Sequence, residues 1–102
     1  MRLFVMFDLP VQTSIERKNY RRFRKFLIEN GYLMIQYSIY AKIILNHSAL
    51  QLQKVKIQQH LPPKGHVETL LVTEKQFADM EHFSKPKIEK TETNSMKRVI
   101  EL

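Results

Sequence analysis

The residue whose type and position most readily suggest chemistry is Asp8, in the stretch FVMFDLP, where it follows five consecutive apolar residues. The chain has only two aspartates, and the other, Asp79, lies far along the sequence. A carboxylate at the end of a strand can bind Mg²⁺ or Mn²⁺, since hard divalent ions prefer oxygen ligands. It can equally accept hydrogen bonds from backbone amides around Val11 and Gln12, or begin a turn before Pro10. Both interpretations of Asp8 stay open at this point.

A metal site built on Asp8 would need more than one chain. A single carboxylate is a poor ligand set, and the only symmetric cluster that the sequence offers is Asp8 from each of two subunits, with one ion shared between them. Without metal the two carboxylates would repel each other, which would make the dimer sensitive to pH and metal. The four histidines show no paired ligand spacing and are interpreted as surface residues: His47, His60, His66 and His82.

The second feature with chemical potential is the basic stretch RKNYRRFRK, in which six of the nine residues are cationic. Like charges four residues apart destabilise a helix, so an anionic partner is expected to compensate them. Arginine suits phosphate because its planar guanidinium can donate to two oxygens at once. The stretch therefore predicts contact with a nucleic-acid backbone, with plain solvated surface as the alternative. The candidate residues are Arg17, Lys18, Arg21, Arg22, Arg24 and Lys25.

Composition narrows the class of protein. The chain has 102 residues, a formal net charge of +7 and an isoelectric point near 9.8, which favours polyanionic partners. It has no cysteine, so disulfides and thiolate metal sites are excluded, and a reducing cytoplasm is the expected compartment. No apolar run approaches the length of a membrane span, and Asp8 and Pro10 interrupt the N-terminal apolar segment, which argues against a signal peptide.

Capping signals and hydrophobic periodicity predict the elements that must position these residues. The stretch RLFVMFDL is typical of a buried strand. Thr13 and Glu16 can form a capping box, and they predict a helix over Ser14–Asn30 that Gly31 ends. The remaining predictions for residues 1–83 are two strands in YLMIQYSIYAKIIL with a turn near Gln36–Ser38, a helix over Asn46–His60, a strand in HVETLLVT and a helical turn over Glu74–Met80. A polar linker at 84–95 and a docking strand within 96–102, containing RVIEL, are expected to follow.

This order predicts an α+β, ferredoxin-like βαββαβ fold with both helices on one face of an antiparallel sheet. The predicted helix core is Ile15, Phe23, Phe26 and Leu27 with Tyr20 at its edge, followed by Leu50, Val55 and Ile57 in the second helix. Several strands are apolar on both faces, which would leave a large apolar surface exposed on the side without helices. A sheet-to-sheet homodimer is therefore predicted.

Taken together, these motifs resemble a known family. FVMFDLP, the arginine-rich helix that ends in glycine, and QYSIY resemble the small CRISPR-associated adaptation proteins of the Cas2 family. ERKNYRRFRKFL, LPPKG and VTEKQF are similar to its type II-A branch. The resemblance covers the chain from Met1 to about Phe77.

The resemblance implies a ferredoxin-like homodimer that works in spacer acquisition. Such a dimer would bridge two Cas1 integrase dimers and lie along the duplex of incoming DNA, while the integrase carries out strand transfer. Members are also described as Mg²⁺-dependent endonucleases acting on single-stranded RNA or double-stranded DNA. The family's metal-binding catalytic aspartate corresponds to Asp8, and its DNA-contacting helix suggests Arg17, Arg21, Arg22 and Arg24. The C-terminal strand would add to the partner's sheet or dock on the integrase.

Two other functions remain open from the sequence. One is a metal-dependent endoribonuclease or endonuclease that acts independently of the integrase. The other is a general ferredoxin-like RNA-binding module, which would stack bases on an exposed aromatic residue of the sheet, such as Tyr32.

Overall fold

The structure of the chain, a computed structural model, describes residues 1–84. Four strands and three helices follow one another in the order predicted. They are β1 (Arg2–Asp8), α1 (Ser14–Glu29), β2 (Leu33–Gln36), β3 (Ile39–Ile43), α2 (His47–Gln59), β4 (His66–Val72) and α3 (Glu74–Ala78). The predicted C-terminal strand, and all of the predicted linker beyond Ser84, lie outside the described residues.

The strands form one antiparallel sheet in the order β2-β3-β1-β4. Side chains from α1 and α2 join those of β1 in a single core, so both helices cover the same face of the sheet. The predicted α+β, βαββαβ arrangement is confirmed. Within the described part of the chain, no helix is long and apolar enough to cross a membrane.

The bounds of α1 follow from local signals that the sequence carries. The Thr13 hydroxyl accepts a hydrogen bond from the Glu16 amide at 3.1 Å, and Glu16 Oε1 accepts one from the Thr13 amide at 3.0 Å. These bonds complete the predicted capping box, and the bond from the Thr13 amide holds the pKa of the Glu16 carboxyl below its usual value. The helix ends before Gly31, whose φ of 87° suits glycine because it has no Cβ.

The core contains most of the predicted residues, with two corrections. Phe23, Phe26 and Leu27 are buried as predicted, but Ile15 is 66% exposed. The first turn of α1 lies beside the prolines of two loops, so Ile15 lines a cleft there instead of reaching the sheet. In α2, Val55 is also exposed. Val55 lies about 200° around the helix from the buried Ile57, on the side that faces solvent. The third buried residue of α2, besides Leu50 and Ile57, is Gln53.

The face of the sheet without α1 and α2, which we call the open face, is largely apolar. Its side chains, assigned by strand alternation and register, are Arg2, Phe4, Met6, Asp8, Leu33, Ile39, Ala41, Ile43, His66, Glu68, Leu70 and Val72. Leu33 is 72% exposed, and Ile43 and Leu70 are also exposed. Phe77 of α3 covers part of this face by packing edge-on against Phe4, with ring centroids 5.9 Å apart.

Candidate functional site

Asp8 is the last residue of β1, and its side chain is exposed on the open face. It borders a shallow depression of about 310 Å³. The residues that line this depression are Met6, Phe7, Asp8, Tyr37, Ser38, Ile39, His66 and Glu68. The prediction that Asp8 lies at the mouth of a buried strand is confirmed.

Two tight backbone positions fix the end of β1. Ser38, in the turn between β2 and β3, has a φ of 65° and accepts a hydrogen bond from the Phe7 amide at 3.0 Å through its carbonyl. Gly65, just before β4, has a φ of 100°, and a Cβ there would lie 2.7 Å from the Asp8 carbonyl oxygen. Only glycine, which has no Cβ, allows the LPPKG stretch to approach Asp8 this closely. The start of β4 therefore lies directly beside Asp8.

The backbone amides that Asp8 could have capped have another partner. Glu16 Oε1 accepts hydrogen bonds from the Gln12 amide at 2.9 Å and the Thr13 amide at 3.0 Å. Among residues 1–84, the Asp8 carboxylate accepts no hydrogen bond and forms no ion pair. The carboxylate is therefore available to a ligand.

The described part of one chain does not supply a complete set of metal ligands around Asp8. Over residues 1–84, no three side chains of His, Cys, Asp or Glu type lie close enough together to hold an ion. The depression has two carboxylates, Asp8 and Glu68, and the imidazole of His66. Asp79 lies in another part of the molecule, where it pairs with Lys75 at 2.9 Å. Asp8 carries the type of oxygen donor that Mg²⁺ prefers.

The six cationic side chains of α1 are not equivalent. The Arg17 guanidinium donates to the carbonyls of Val11 and Gln12 at 3.2 and 3.1 Å, which fixes it beside the start of the helix. Arg24 Nε donates to the Tyr40 hydroxyl at 2.8 Å. Lys25 lies 4.0 Å from Glu29, at the outer limit of an ion pair. These three cations are at least partly engaged within the chain.

The other three cations of α1 point to solvent. Lys18, Arg21 and Arg22 are exposed, and within the part of the chain that the structure describes they take part in no hydrogen bond or ion pair through their side chains. They lie on a helix that is anchored to the core by Phe23, Phe26 and Leu27. Lys18, Arg21 and Arg22 are therefore the cations of α1 that can approach an external anion without breaking an internal contact.

Tyr32 does not provide a surface for base stacking. Its side chain is 2% exposed, and its hydroxyl donates to the buried Gln53 Oε1 at 3.1 Å. Tyr32 comes directly before β2 and packs into the core that the helices cover. The suggestion that Tyr32 stacks bases is wrong.

Comparison with known proteins identifies the family. Residues 1–80 match the family described as CRISPR associated protein Cas2. This chain belongs to the Cas2 family. It is 49% identical to a CRISPR-associated endoribonuclease Cas2 of Ligilactobacillus salivarius over 98% of both chains. It is 51% identical to the protein of that name from Lacticaseibacillus rhamnosus, over 81% of both chains.

A solved structure shares the fold. The crystal structure of Streptococcus pyogenes Cas2 at pH 6.5 superimposes with a TM-score of 0.65, covering 82% of this chain and all of that one. The two sequences are 18% identical in this comparison, so the likeness concerns the fold. The resemblance predicted from the motifs is confirmed, and the βαββαβ arrangement agrees with it.

Two ionisable residues of the depression beside Asp8, His66 and Glu68, were not predicted from the sequence as site residues. Both were available in principle, because a βαββαβ topology pairs β1 with β4 in antiparallel fashion and so brings the start of β4 to the end of β1. Spacing along the chain does not reveal this pairing, since Asp8 and His66 are separated by nearly the whole domain. His66 is exposed, as predicted for the four histidines.

Proposed function

We propose that this Cas2-family chain is a subunit of CRISPR adaptation: a homodimer that binds duplex DNA and bridges Cas1 integrase dimers. The observation that carries the proposal is the group of three exposed cations on α1, Lys18, Arg21 and Arg22, which have no partner within residues 1–84. A rigid helix that presents such cations suits a phosphate backbone, which is recognised by charge and shape and not by base sequence.

The open face supports the homodimer. Leu33, Ile43 and Leu70 expose apolar surface there, and a contiguous apolar patch of this kind is uncommon on a protein that stays monomeric. A second copy with the same face is the simplest cover, because a two-fold interface uses one self-complementary patch. The dimer would carry two copies of α1 on its outer surface and so double the number of cations available to the duplex.

The dimer would also bring the two Asp8 carboxylates together at one metal. Asp8 ends β1 on the open face and has no partner within residues 1–84, which suits an oxygen ligand of Mg²⁺ or Mn²⁺. Such an ion supplies Lewis-acid polarisation of a phosphate and lowers the pKa of bound water. Each chain would hold its own Asp8 carboxylate at the end of β1, where the Ser38 carbonyl accepts a hydrogen bond from the Phe7 amide.

An experiment on duplex binding tests the scaffold function. Fluorescence anisotropy with a labelled DNA duplex would compare the wild type with the double variant Arg21→Glu/Arg22→Glu. The matched control is Lys54→Glu/Lys75→Glu, which makes the same change of charge at exposed lysines outside α1. Light scattering would confirm that all three proteins are dimers.

We expect the α1 variant to lose duplex binding while its dimer persists, and the control to keep most of its affinity. In the wild type, log affinity should fall with log salt by about 0.9 for each phosphate neutralised. Unchanged affinity of Arg21→Glu/Arg22→Glu at physiological salt would overturn the assignment of α1. A stable monomer in light scattering would overturn the homodimer.

Endonuclease activity is the second candidate function, and the free, exposed carboxylate of Asp8 favours it. The relatives named above are called endoribonucleases, so single-stranded RNA is a substrate to test beside duplex DNA. Cleavage with Mg²⁺ that disappears in Asp8→Asn would support a catalytic Asp8. Cleavage that survives Asp8→Asn would assign the activity elsewhere, and intact binding without cleavage in either protein would favour a scaffold alone.

A further inference from the structure

The residue that faces Asp8 across the sheet is His66. The two are direct partners in the antiparallel pairing of β1 with β4. Residues paired in this way direct their side chains to the same face, with Cβ atoms about 5 Å apart. Both side chains are exposed and line the same depression, and within residues 1–84 neither takes part in a hydrogen bond. The His66 imidazole therefore lies beside the Asp8 carboxylate and makes no hydrogen bond within residues 1–84.

The side chains around Asp8 and His66 are acidic, although the chain as a whole is basic. The full sequence contains 17 lysines and arginines against 10 acidic residues, yet the lining of the depression includes two acids and no lysine or arginine. Among the described residues, the ion pairs of the chain lie elsewhere, and neither Asp8 nor Glu68 takes part in one. The depression is thus a locally acidic place on a basic protein, which suits a cation.

We infer that His66 is a second ligand of the divalent ion bound by the Asp8 pair, and that this site prefers Mn²⁺ to Mg²⁺. The inference rests on the homodimer and shared ion proposed above. Asp8 and His66 of one chain offer one carboxylate and one imidazole, and two chains related by a two-fold axis offer two of each. Four donors are a usual protein set for a transition-metal ion, whereas residues 1–84 of one subunit do not complete a site.

The choice of metal follows from the donor atoms. Mg²⁺ takes oxygen ligands almost exclusively and keeps several waters, so an imidazole contributes little to its binding. Mn²⁺ accepts carboxylates as Mg²⁺ does, and as a first-row transition metal it also belongs to the series of ions that bind nitrogen donors. His66 would therefore add to the affinity for Mn²⁺ and leave the affinity for Mg²⁺ nearly unchanged.

The test measures metal binding on the full-length dimer, without nucleic acid. Calorimetric titrations with Mn²⁺ and Mg²⁺ would compare the wild type, Asp8→Asn, His66→Gln and the control His47→Gln, which removes an exposed histidine from α2. Pulsed electron paramagnetic resonance of bound Mn²⁺ adds an independent signature, because a directly bound imidazole couples its ¹⁴N nucleus to the ion. Light scattering and circular dichroism would confirm that each variant is a folded dimer.

We expect one Mn²⁺ per dimer in the wild type, bound more tightly than Mg²⁺. In His66→Gln the Mn²⁺ affinity should fall by about tenfold or more, with loss of the ¹⁴N coupling, and Mg²⁺ binding should change little. The control His47→Gln should behave as the wild type.

Two different failures are distinguishable. If His66→Gln keeps the Mn²⁺ affinity and the ¹⁴N coupling while Asp8→Asn loses binding, the shared Asp8 ion stands and the role of His66 is refuted. If the wild-type dimer binds neither ion at a site that depends on Asp8, the proposed metal centre fails and the inference about His66 fails with it.

Discussion

The hydrogen bond between Tyr32 and Gln53 gives a prediction about stability at high pH. The Tyr32 ring is buried, its hydroxyl donates to Gln53 Oε1, and burial raises its pKa to about 12, against a usual value of 10.0. Well below pH 10 this tyrosine is neutral in both the folded and the unfolded chain. Between pH 10 and about 12 the unfolded chain releases the proton while the folded chain keeps it. The free energy of unfolding must therefore fall as pH rises through this interval.

The magnitude follows from the same two pKa values. A difference of one in pKa corresponds to about 1.4 kcal/mol, so the full loss attributable to Tyr32 amounts to about 3 kcal/mol. Replacing Tyr32 with Phe removes this titration. It also leaves the buried Gln53 oxygen without its donor, which costs about 1 to 3 kcal/mol at neutral pH.

The assay is urea unfolding followed by circular dichroism from pH 8 to pH 11.5, at one protein concentration, because dimerisation would couple stability to concentration. The two proteins differ only at residue 32, so the informative quantity is the difference in the free energy of unfolding between the wild type and Tyr32→Phe. We expect the wild type to be more stable near pH 8 and its advantage to shrink as pH rises above 10. Parallel stability curves for the two proteins over this range would refute the reasoning.

Two further predictions concern the start of α1 and the open face. Thr13→Ala should lower the free energy of unfolding by about 1 kcal/mol, with Thr13→Ser close to the wild type, as measured by urea unfolding. The bond from the Thr13 amide lowers the pKa of the Glu16 carboxyl, so the contribution of this carboxylate is present above its usual pKa and is lost as pH falls through the lowered folded value. The difference in the free energy of unfolding between Glu16→Gln and the wild type should therefore narrow in acid. On the open face, Leu33→Lys/Leu70→Lys should yield a folded monomer in light scattering. The control Ile15→Lys, which changes a comparably exposed apolar residue in the first turn of α1, should remain a dimer. A dimer that survives the open-face substitutions would place the interface elsewhere.

Local chemistry explains which parts of the fold were predictable. The Thr13 and Glu16 capping box and Gly31 act within a few residues of the helix ends, so the bounds of α1 agree with the prediction to within one residue. The turn between β2 and β3 was placed correctly although it has no Gly, Pro or Asn, and the positive φ of Ser38 shows how the chain makes the turn without them. Hydrophobic periodicity predicted burial less reliably. It does not show that the first turn of α1, with Ile15, lies outside the core, and it does not predict that a polar residue, Gln53, is buried in α2.

Some features of the candidate site were likewise predictable from the sequence, and others required the tertiary structure. Sequence alone determined that Asp8 ends a buried strand, that α1 is strongly basic and that the chain has the motifs of the Cas2 family, because each of these depends on residues close together in the chain. The tertiary structure decided which cations of α1 have no partner within residues 1–84, since Arg24 bonds to Tyr40 and Arg17 to loop carbonyls. It also decided that His66 faces Asp8. The physical reason is that strand pairing and side-chain packing join residues far apart in the sequence, and no local pattern encodes which distant group will lie opposite.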